Sequence, residues 1–141
     1  MKNYNTTQLN PDTTFEKHVY HRDQFAHYLR WTHVLNIAEI GMKVLDFGCG
    51  SANIYEVFYR NRFAPTRYLG LDIRKKTIDD NKVQFRKAEF ETVDLVGEFD
   101  YGTDWDIITS FEVAEHVGKQ NVPKFLDNIK KHCNPNTIVL L

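Results

Sequence analysis

The sequence lacks a long hydrophobic run, is poor in cysteine and has almost no excess of charge of either sign. Its longest apolar runs, such as residues 138–141, fall far short of the roughly 20 residues that a membrane-spanning helix needs. Residues 1–4 do not begin a signal peptide, so we expect a cytoplasmic protein. The two cysteines, Cys49 and Cys133, show no CxxC spacing, which excludes a disulfide framework and a zinc knuckle and predicts two reduced thiols.

The formal net charge of -1 argues against a protein whose whole surface binds nucleic acid. The charge is uneven, because residues 60–87 contain nine Lys or Arg against three Asp, whereas residues 88–115 contain nine acids and no Lys or Arg. We expect two solvated surfaces rather than a phosphate-binding stripe. The chain has 141 residues, of which 42% are hydrophobic and 13% aromatic, and this is enough to fill the core of one globular domain.

Strands alternate with helices through a domain that we assign to residues 15–141, after a flexible N-terminus at residues 1–14. A helix that begins after Asp23 ends at Gly41. Such alternation predicts an α/β fold with a mostly parallel sheet between two layers of helices, which binds ligands at the carboxyl ends of its strands. The predicted strands are 44–47, 68–73, 83–88, 105–111 and 137–141, and the predicted helices between them include 54–58, 74–82 and a segment from Pro123 to about residue 133.

A glycine-rich segment with Asp46, Gly48, Cys49 and Gly50 follows the first predicted strand. Two glycines one residue apart permit unusual backbone dihedrals and let a ligand approach the main chain. A buried carboxylate at Asp46 needs hydrogen-bond donors or a cationic ligand. A nicotinamide-binding fingerprint would place glycine where Asn53 stands, so the match to that fingerprint is partial.

Acidic and aromatic residues are predicted after the next two strands. Asp72 stands 22 positions after Gly50, where an acid accepts hydrogen bonds from ribose hydroxyls in dinucleotide folds. Nicotinamide and adenosyl cofactors share this contact. In the loop expected after the third strand, Phe90 is placed to stack on an adenine while Glu89 accepts from its exocyclic amine.

Three segments in this order, residues 44–50, 69–72 and 105–113, resemble the class I S-adenosylmethionine (SAM)-dependent methyltransferases. The resemblance covers about residues 42–141 and implies a Rossmann-like three-layer sandwich and direct in-line methyl transfer to an oxygen or nitrogen acceptor. In that family the glycine loop holds the methionine end of SAM, and acids after the second and third strands meet ribose and adenine. The cofactor-binding residues that it implies are Asp46, Gly48, Cys49, Gly50, Asp72, Ile73, Glu89, Phe90, Ser110 and Phe111.

The segment after the fourth predicted strand contains Glu112, Glu115 and His116 at helical spacing. In the first turn of a helix these side chains would project from one side and suit Mg²⁺, Mn²⁺ or Zn²⁺. The pattern resembles the ExxEH motif of small-RNA 2′-O-methyltransferases and ubiquinone-pathway O-methyltransferases, where it binds a metal near the acceptor. The alternative is a segment without metal, in which the catalytic candidates Glu112 and His116 cap, support or accept a proton.

Class I methyltransferases usually add two more strands beyond the point where residue 141 lies, so the resemblance predicts a truncated or minimal domain. A second hypothesis is therefore a SAM-binding module without catalysis, either regulatory or half of a larger enzyme. A nicotinamide oxidoreductase is a third hypothesis, which Asp46 and Asn53 disfavour. Residues 110–113 lack the proline-containing signatures of DNA base methyltransferases, so the expected acceptor is a small molecule, a lipid-like quinone, an RNA terminus or a protein side chain, and not a duplex DNA base.

Overall fold

The computed structural model describes residues 22–141, with side chains from residue 29 onward. The predicted flexible N-terminus at residues 1–14 and the proposed domain boundary at residue 15 lie outside the described residues. The helices are α1 (Arg22–Ile37), α2 (Asn53–Arg60), α3 (Lys75–Gln84) and α4 (Val122–Lys131), with a short 3-10 helix at Lys119–Asn121, and the strands are β1 (Lys43–Phe47), β2 (Arg67–Asp72), β3 (Glu89–Thr92), β4 (Ile107–Thr109) and β5 (Ile138–Leu140).

The strands form one sheet in the order β3-β2-β1-β4-β5, and every neighbouring pair is parallel. The chain moves outward from β1 to β3 on one side and then crosses to β4 and β5 on the other. The strand order therefore reverses at β1, which is where sheets of this kind bind ligands. The predicted Rossmann-like α/β fold is confirmed. The described residues form five parallel strands, and the two further strands usual in the family that the sequence resembles are not among them.

Two apolar layers cover the two faces of the sheet, because successive side chains of a strand point to opposite faces. On one face, Val44 and Tyr68 pack in a cluster with residues of α1, α2 and α3. On the other face, Leu45 and Phe47 pack with α4 and with the long segment between β3 and β4. β1 and β2 are buried on both faces, which accounts for their nearly continuous apolar sequences.

The predicted third strand at residues 83–88 is wrong. Val83 and Gln84 are the last residues of α3, and the Ala88 N–H donates to the Phe85 carbonyl at 3.0 Å in the turn that follows. The strand itself begins at Glu89. Ile78 and Asn81 of α3 are buried, and Phe85 packs against the apolar cluster that contains Ile78. The helical period therefore extends through the segment where a strand was expected.

The other elements differ from the predictions mainly in length. α1 ends at Ile37, ahead of Gly41, and β4 is limited to Ile107–Thr109. Pro123 lies in the first turn of α4, as its missing N–H favours. Among the described residues, no helix is both long enough and apolar enough to cross a membrane.

Candidate functional site

The glycine loop (residues 48–52) joins β1 to α2 at the carboxyl edge of the sheet, next to the point where the strand order reverses. The N–H groups of Gly48 and Cys49 both donate to the Leu71 carbonyl, at 2.7 and 2.9 Å, so the loop crosses the end of β2. Gly48 has a φ of 78°, and a Cβ there would lie 2.3 Å from Cγ2 of Val113. Glycine is therefore required at position 48 both for the backbone conformation and for the approach of the segment after β4.

Asp72, at the end of β2, binds the glycine loop to the start of α3. Its Oδ2 accepts a hydrogen bond from the Gly50 N–H at 3.0 Å, and its Oδ1 accepts from the Arg74 N–H at 2.9 Å. The Arg74 guanidinium also donates to both carboxylate oxygens, at 3.0 and 3.1 Å. Asp72 is only 5% exposed, whereas the adjacent Ile73 is 65% exposed at the same edge. Asp72, predicted to bind ribose, and its apolar neighbour Ile73 thus both lie at the carboxyl edge of the sheet. Arg74 is a hydrogen-bond partner of Asp72 that the sequence did not predict.

Asn81 packs against the glycine loop beside Cys49, one of the residues of that loop. The Asn81 amide donates to the Gly50 carbonyl at 2.7 Å and lies 3.9 Å from the Cys49 sulfur. A Cβ on Gly70 would lie 2.8 Å from that sulfur, so glycine in β2 makes room for the thiol. Burial raises the pKa of Cys49 well above its usual range, which keeps a neutral thiol and not a nucleophilic thiolate.

Asp46 lies within the sheet rather than on its rim. It is 2% exposed, and its two oxygens accept hydrogen bonds from the hydroxyls of Tyr68 at 2.5 Å and Thr109 at 2.8 Å. Burial raises its pKa to about 6 from an ordinary 3.8, although both hydroxyl donors oppose the change. The hydrogen-bond donors that a buried carboxylate needs are thus supplied by side chains of the neighbouring strands.

Glu89 and Phe90 do not occupy the loop in which an adenine contact was expected, because β3 begins at Glu89. Glu89 pairs in register with Leu69 and accepts from the Arg67 guanidinium at 3.2 and 3.3 Å. Phe90 is 3% exposed and packs against Tyr68. The predicted adenine contact of Glu89 and Phe90 is therefore corrected, because the third strand was predicted too early in the sequence.

The residues that follow β3 at the carboxyl edge are Val93 and Asp94. The Val93 N–H donates to the Asp72 carbonyl at 3.0 Å, which holds this loop beside the end of β2. Asp94 is exposed, its Oδ1 accepts from the Val96 N–H at 3.1 Å, and its carbonyl accepts from the Gly97 N–H at 2.8 Å. If the helical period of α3 is followed as far as Phe85, the third strand is predicted later in the sequence. Asp94 then becomes the acid that follows this strand.

Ser110 and Phe111 lie directly after β4, although the predicted strand at residues 105–111 included them. The Ser110 hydroxyl donates to the Phe47 carbonyl at 2.9 Å, and its N–H donates to the Leu140 carbonyl at 2.9 Å. Phe111 is half-buried against the cluster on the α1 side of the sheet. Both residues therefore fix the start of the segment that approaches the glycine loop, while the Ser110 hydroxyl is already paired within the fold.

The segment with Glu112, Glu115 and His116 does not form the expected helical turn. Glu112 has a φ of 57°, in the left-handed region, and its carboxylate forms an ion pair with Arg30 of α1. The His116 N–H donates to the Val113 carbonyl at 2.8 Å, which closes a short turn, and the side chains of Glu115 and His116 are exposed.

A metal site at these residues is not supported. No group of three His, Cys, Asp or Glu residues in the described part of the chain could hold a metal ion. The pairing of Glu112 with a cationic guanidinium also disfavours a second cation on the same carboxylate. The predicted arrangement for Mg²⁺, Mn²⁺ or Zn²⁺ depended on a helix that this segment does not form.

Comparison with known families distinguishes the methyltransferase hypothesis from the nicotinamide oxidoreductase hypothesis. Residues 18–141 match the family model described as a methyltransferase domain. The chain belongs to this methyltransferase domain family. The match includes the glycine loop, Asp72 and the segment after β4, so the predicted relationship to the SAM-dependent methyltransferases is confirmed. No curated protein matches this methyltransferase domain.

Solved structures share its fold. A TehB-like SAM-dependent methyltransferase from Corynebacterium glutamicum is 23% identical with a TM-score of 0.68, over 83% of this chain and 70% of that chain. PKMT2 from Rickettsia typhi, in complex with AdoHcy, is 26% identical with a TM-score of 0.59, over 70% and 20%. Magnesium protoporphyrin IX methyltransferase from Synechocystis, with bound SAM, is 17% identical with a TM-score of 0.61, over 79% and 54%. The methyltransferase domain thus spans between 20% and 70% of the length of these structures.

Proposed function

We propose that the chain binds SAM and transfers its methyl group to an oxygen or nitrogen acceptor by in-line displacement. The observation that supports this most is the meeting of the glycine loop, Asp72 and the segment after β4 at one edge of the sheet, where the strand order reverses. The bound ligands of related structures, SAM and AdoHcy, are of the same chemical class.

In this proposal the ribose of SAM binds Asp72. Two ribose hydroxyls would donate to the carboxylate in place of the Arg74 guanidinium, while the Gly50 N–H retains its bond to Oδ2. The methionine end of SAM would lie along the glycine loop, where Gly48 and Gly50 expose the backbone.

The adenine of SAM is assigned to the surface formed by Ile73 and Asp94. The exposed Ile73 side chain offers an apolar surface for the ring, and the Asp94 carboxylate is placed to accept a hydrogen bond from the exocyclic amine. Asp94 replaces Glu89 and Phe90 in this role because it follows β3 at the carboxyl edge.

Asp46 acts on the cofactor through its charge rather than by direct contact. Its oxygens are paired with Tyr68 and Thr109 beneath the glycine loop. The cationic amino group and sulfonium of SAM would favour the ionised form of a carboxylate beneath them, which in turn attracts the cation.

The transfer step requires little chemistry from the protein. The acceptor lone pair forms the new bond to the methyl carbon, the carbon–sulfur bond breaks, and its electron pair remains on the neutral thioether that leaves. The acceptor proton goes to His116, whose imidazole is exposed in the segment after β4. Glu112, held by Arg30, orients the acceptor beside the segment after β4.

Calorimetric titration of SAM and S-adenosylhomocysteine into the chain tests the first half of this proposal. We expect binding of both ligands at micromolar concentration, and an absence of binding at millimolar ligand would contradict the proposal. Mass spectrometry of small-molecule, RNA and peptide acceptors after incubation with SAM then tests transfer. Methylation of any one class identifies the acceptor chemistry.

A SAM-binding module without catalysis is the second candidate. The observation that favours it is that the chain spans only 20–70% of the length of the related structures described above. Binding of SAM with no transfer to any acceptor in the screen would support this candidate. Transfer by the chain alone would contradict it.

A further inference from the structure

The segment between β3 and β4 (residues 93–106) is fastened to α4 by polar side chains at the C-terminal half of that helix. The Asn128 amide donates to the Leu95 carbonyl at 2.8 Å and to the Gly97 carbonyl at 3.0 Å. Further along the segment, the Lys131 ammonium donates to the Phe99 carbonyl at 2.8 Å. These bonds replace the regular backbone pairing that an irregular segment lacks.

We propose that Asn128 is a positioning residue for adenine recognition, because it sets the orientation of Asp94 without touching the cofactor. This inference rests on the proposed function. It concerns a residue of α4, a helix that contributes no residue to the surface assigned to adenine.

Burial makes the two bonds of Asn128 essential to the turn. Asn128 is 8% exposed and Leu95 is 7% exposed, so water cannot readily replace the amide as donor. Both amide hydrogens are used, and the carbonyls that they bind flank Val96. The turn is thereby fixed at two points two residues apart.

His132 fixes the helix end of this connection. It is fully buried, its Nδ1 lies 2.6 Å from the Asn128 carbonyl, and its Nε2 accepts from the Tyr101 N–H at 3.0 Å. Since Nε2 accepts, Nδ1 carries the hydrogen and donates to Asn128. The backbone of Asn128 is thus held by His132 while its side chain holds the turn.

The same turn determines where the Asp94 carboxylate lies. Its Oδ1 accepts from the Val96 N–H and its carbonyl accepts from the Gly97 N–H, so Asp94 moves with the peptides that Asn128 binds. The bond from the Val93 N–H to the Asp72 carbonyl holds the other end of the turn beside the ribose-binding acid. Loss of Asn128 would therefore leave the ribose site intact and release the adenine site.

A pair of ligands that differ only in the base separates these two effects. S-adenosylhomocysteine has the exocyclic amine that Asp94 would accept, and S-inosylhomocysteine has a carbonyl oxygen at the same position. For the unmodified chain we expect tighter binding of the adenosyl ligand by about tenfold, the ratio that one hydrogen bond of ordinary strength produces. For Asn128→Ala we expect the affinity for the adenosyl ligand to fall by about tenfold, and the ratio to approach one.

Asp127→Ala is the matched control, since Asp127 is the exposed neighbour of Asn128 on α4. It should preserve both affinities. If Asn128→Ala does not fold, Asn128→Ser, which retains one donor, is measured instead and should give an intermediate ratio. Hydrogen exchange of the amides of residues 94–97 provides a second measurement, with faster exchange expected in the Asn128 variant.

The outcomes are distinguishable. If the unmodified chain binds neither ligand, the proposed function fails and the inference fails with it. If it binds both ligands equally, adenine recognition by this turn is wrong although SAM binding stands. If it discriminates and a folded Asn128 variant discriminates equally well, the positioning role alone is overturned.

Discussion

Asp46 illustrates how the centre of a parallel sheet can hold a carboxylate. Thr109 stands directly opposite it on β4, and Tyr68 reaches it from β2. Each hydroxyl donates to one oxygen, yet desolvation is the larger effect and raises the pKa of Asp46 to about 6. The fold therefore tolerates the charge at neutral pH rather than gaining stability from it.

This balance predicts a pH dependence of stability. The folded state binds the Asp46 proton more tightly than the unfolded state, so stability falls as pH rises from about 4 to about 6 and the loss is complete above that window. Asp46→Asn should remove the dependence and stabilise the chain relative to the unmodified one by about 1–3 kcal/mol at pH 7. Urea unfolding of both proteins between pH 4 and pH 8 measures the difference, and parallel curves would show that the carboxylate titrates normally.

Gly48 offers a test of close packing with an unusually good control. Gly48 and Gly102 have φ values of 78° and 74°, but a Cβ at Gly48 would meet Val113 at 2.3 Å whereas nothing lies within 4 Å at Gly102. Alanine at either position adds about 1–2 kcal/mol of left-handed backbone strain. Only Gly48→Ala should also displace the segment after β4 and weaken SAM binding, by about tenfold or more. Equal calorimetric affinities of the two variants would contradict the assigned contact.

Asp72 is expected to dominate cofactor affinity. Asp72→Ala removes the bond to Gly50 and would remove the two charge-assisted hydrogen bonds to ribose that we propose, which should weaken SAM binding by about a hundredfold or more. Asp79→Ala, an exposed acid that pairs with Lys75 on α3, serves as the control and should leave affinity unchanged. Retention of full affinity by a folded Asp72 variant would locate the cofactor elsewhere.

At the scale of elements, β1 and β2 could be predicted from sequence because their apolar runs end in residues with special chemistry. β3 was predicted wrongly, because Val83 and Phe85 fit an alternating strand while Ile78, Asn81 and Phe85 also fit a helix. Packing on the α3 side favours the helical pattern. The error displaced the adenine assignment from Asp94 to Glu89 and Phe90.

The polar residues that brace the candidate site were also invisible in the sequence. Arg74 binds the carboxylate of Asp72, two residues before it. Asn81 and Asn128 bind backbone carbonyls of distant segments, and these partners are set by the tertiary fold, so no spacing along the chain indicates them. The glycine loop and Asp72, in contrast, need special residues at fixed positions, which makes them recognisable in advance.

The segment after β4 is tied to α1 through the ion pair of Arg30 and Glu112. Glu112→Gln should leave S-adenosylhomocysteine binding within about twofold of normal and reduce methyl transfer by about tenfold, since the proposal assigns Glu112 to the acceptor. Glu115→Gln alters a neighbouring exposed acid of the same segment and should have a smaller effect on the rate. An unchanged rate in the Glu112 variant would remove this residue from the proposed acceptor site.

At the scale of the whole molecule, the carboxyl and amino edges of the sheet differ in backbone conformation and in their contacts. The carboxyl edge contains left-handed backbone at Gly48 and Gly50, where glycine adopts it without strain, and at Ala52 and Glu112, where it is locally strained. At the amino edge, the Lys43 N–H donates to Asp106 at 2.7 Å, and the Arg67 guanidinium lies 4.5 Å from the ring centre of Trp105. Stabilising contacts at one edge thus accompany locally strained backbone at the other, where we propose that SAM binds.

The outermost strand, β5, affects self-association of the protein in concentrated solution. Within residues 22–141 it pairs only with β4, and its Ile138 and Val139 side chains are 40% and 37% exposed. A bare apolar strand edge is a template for self-association. Ile138→Lys should therefore lower the concentration-dependent growth of particle size measured by light scattering, whereas Ile40→Lys, at a position 81% exposed outside the sheet, should not. Self-association of residues 22–141 in concentrated solution thus depends on the exposed edge of a strand of three residues.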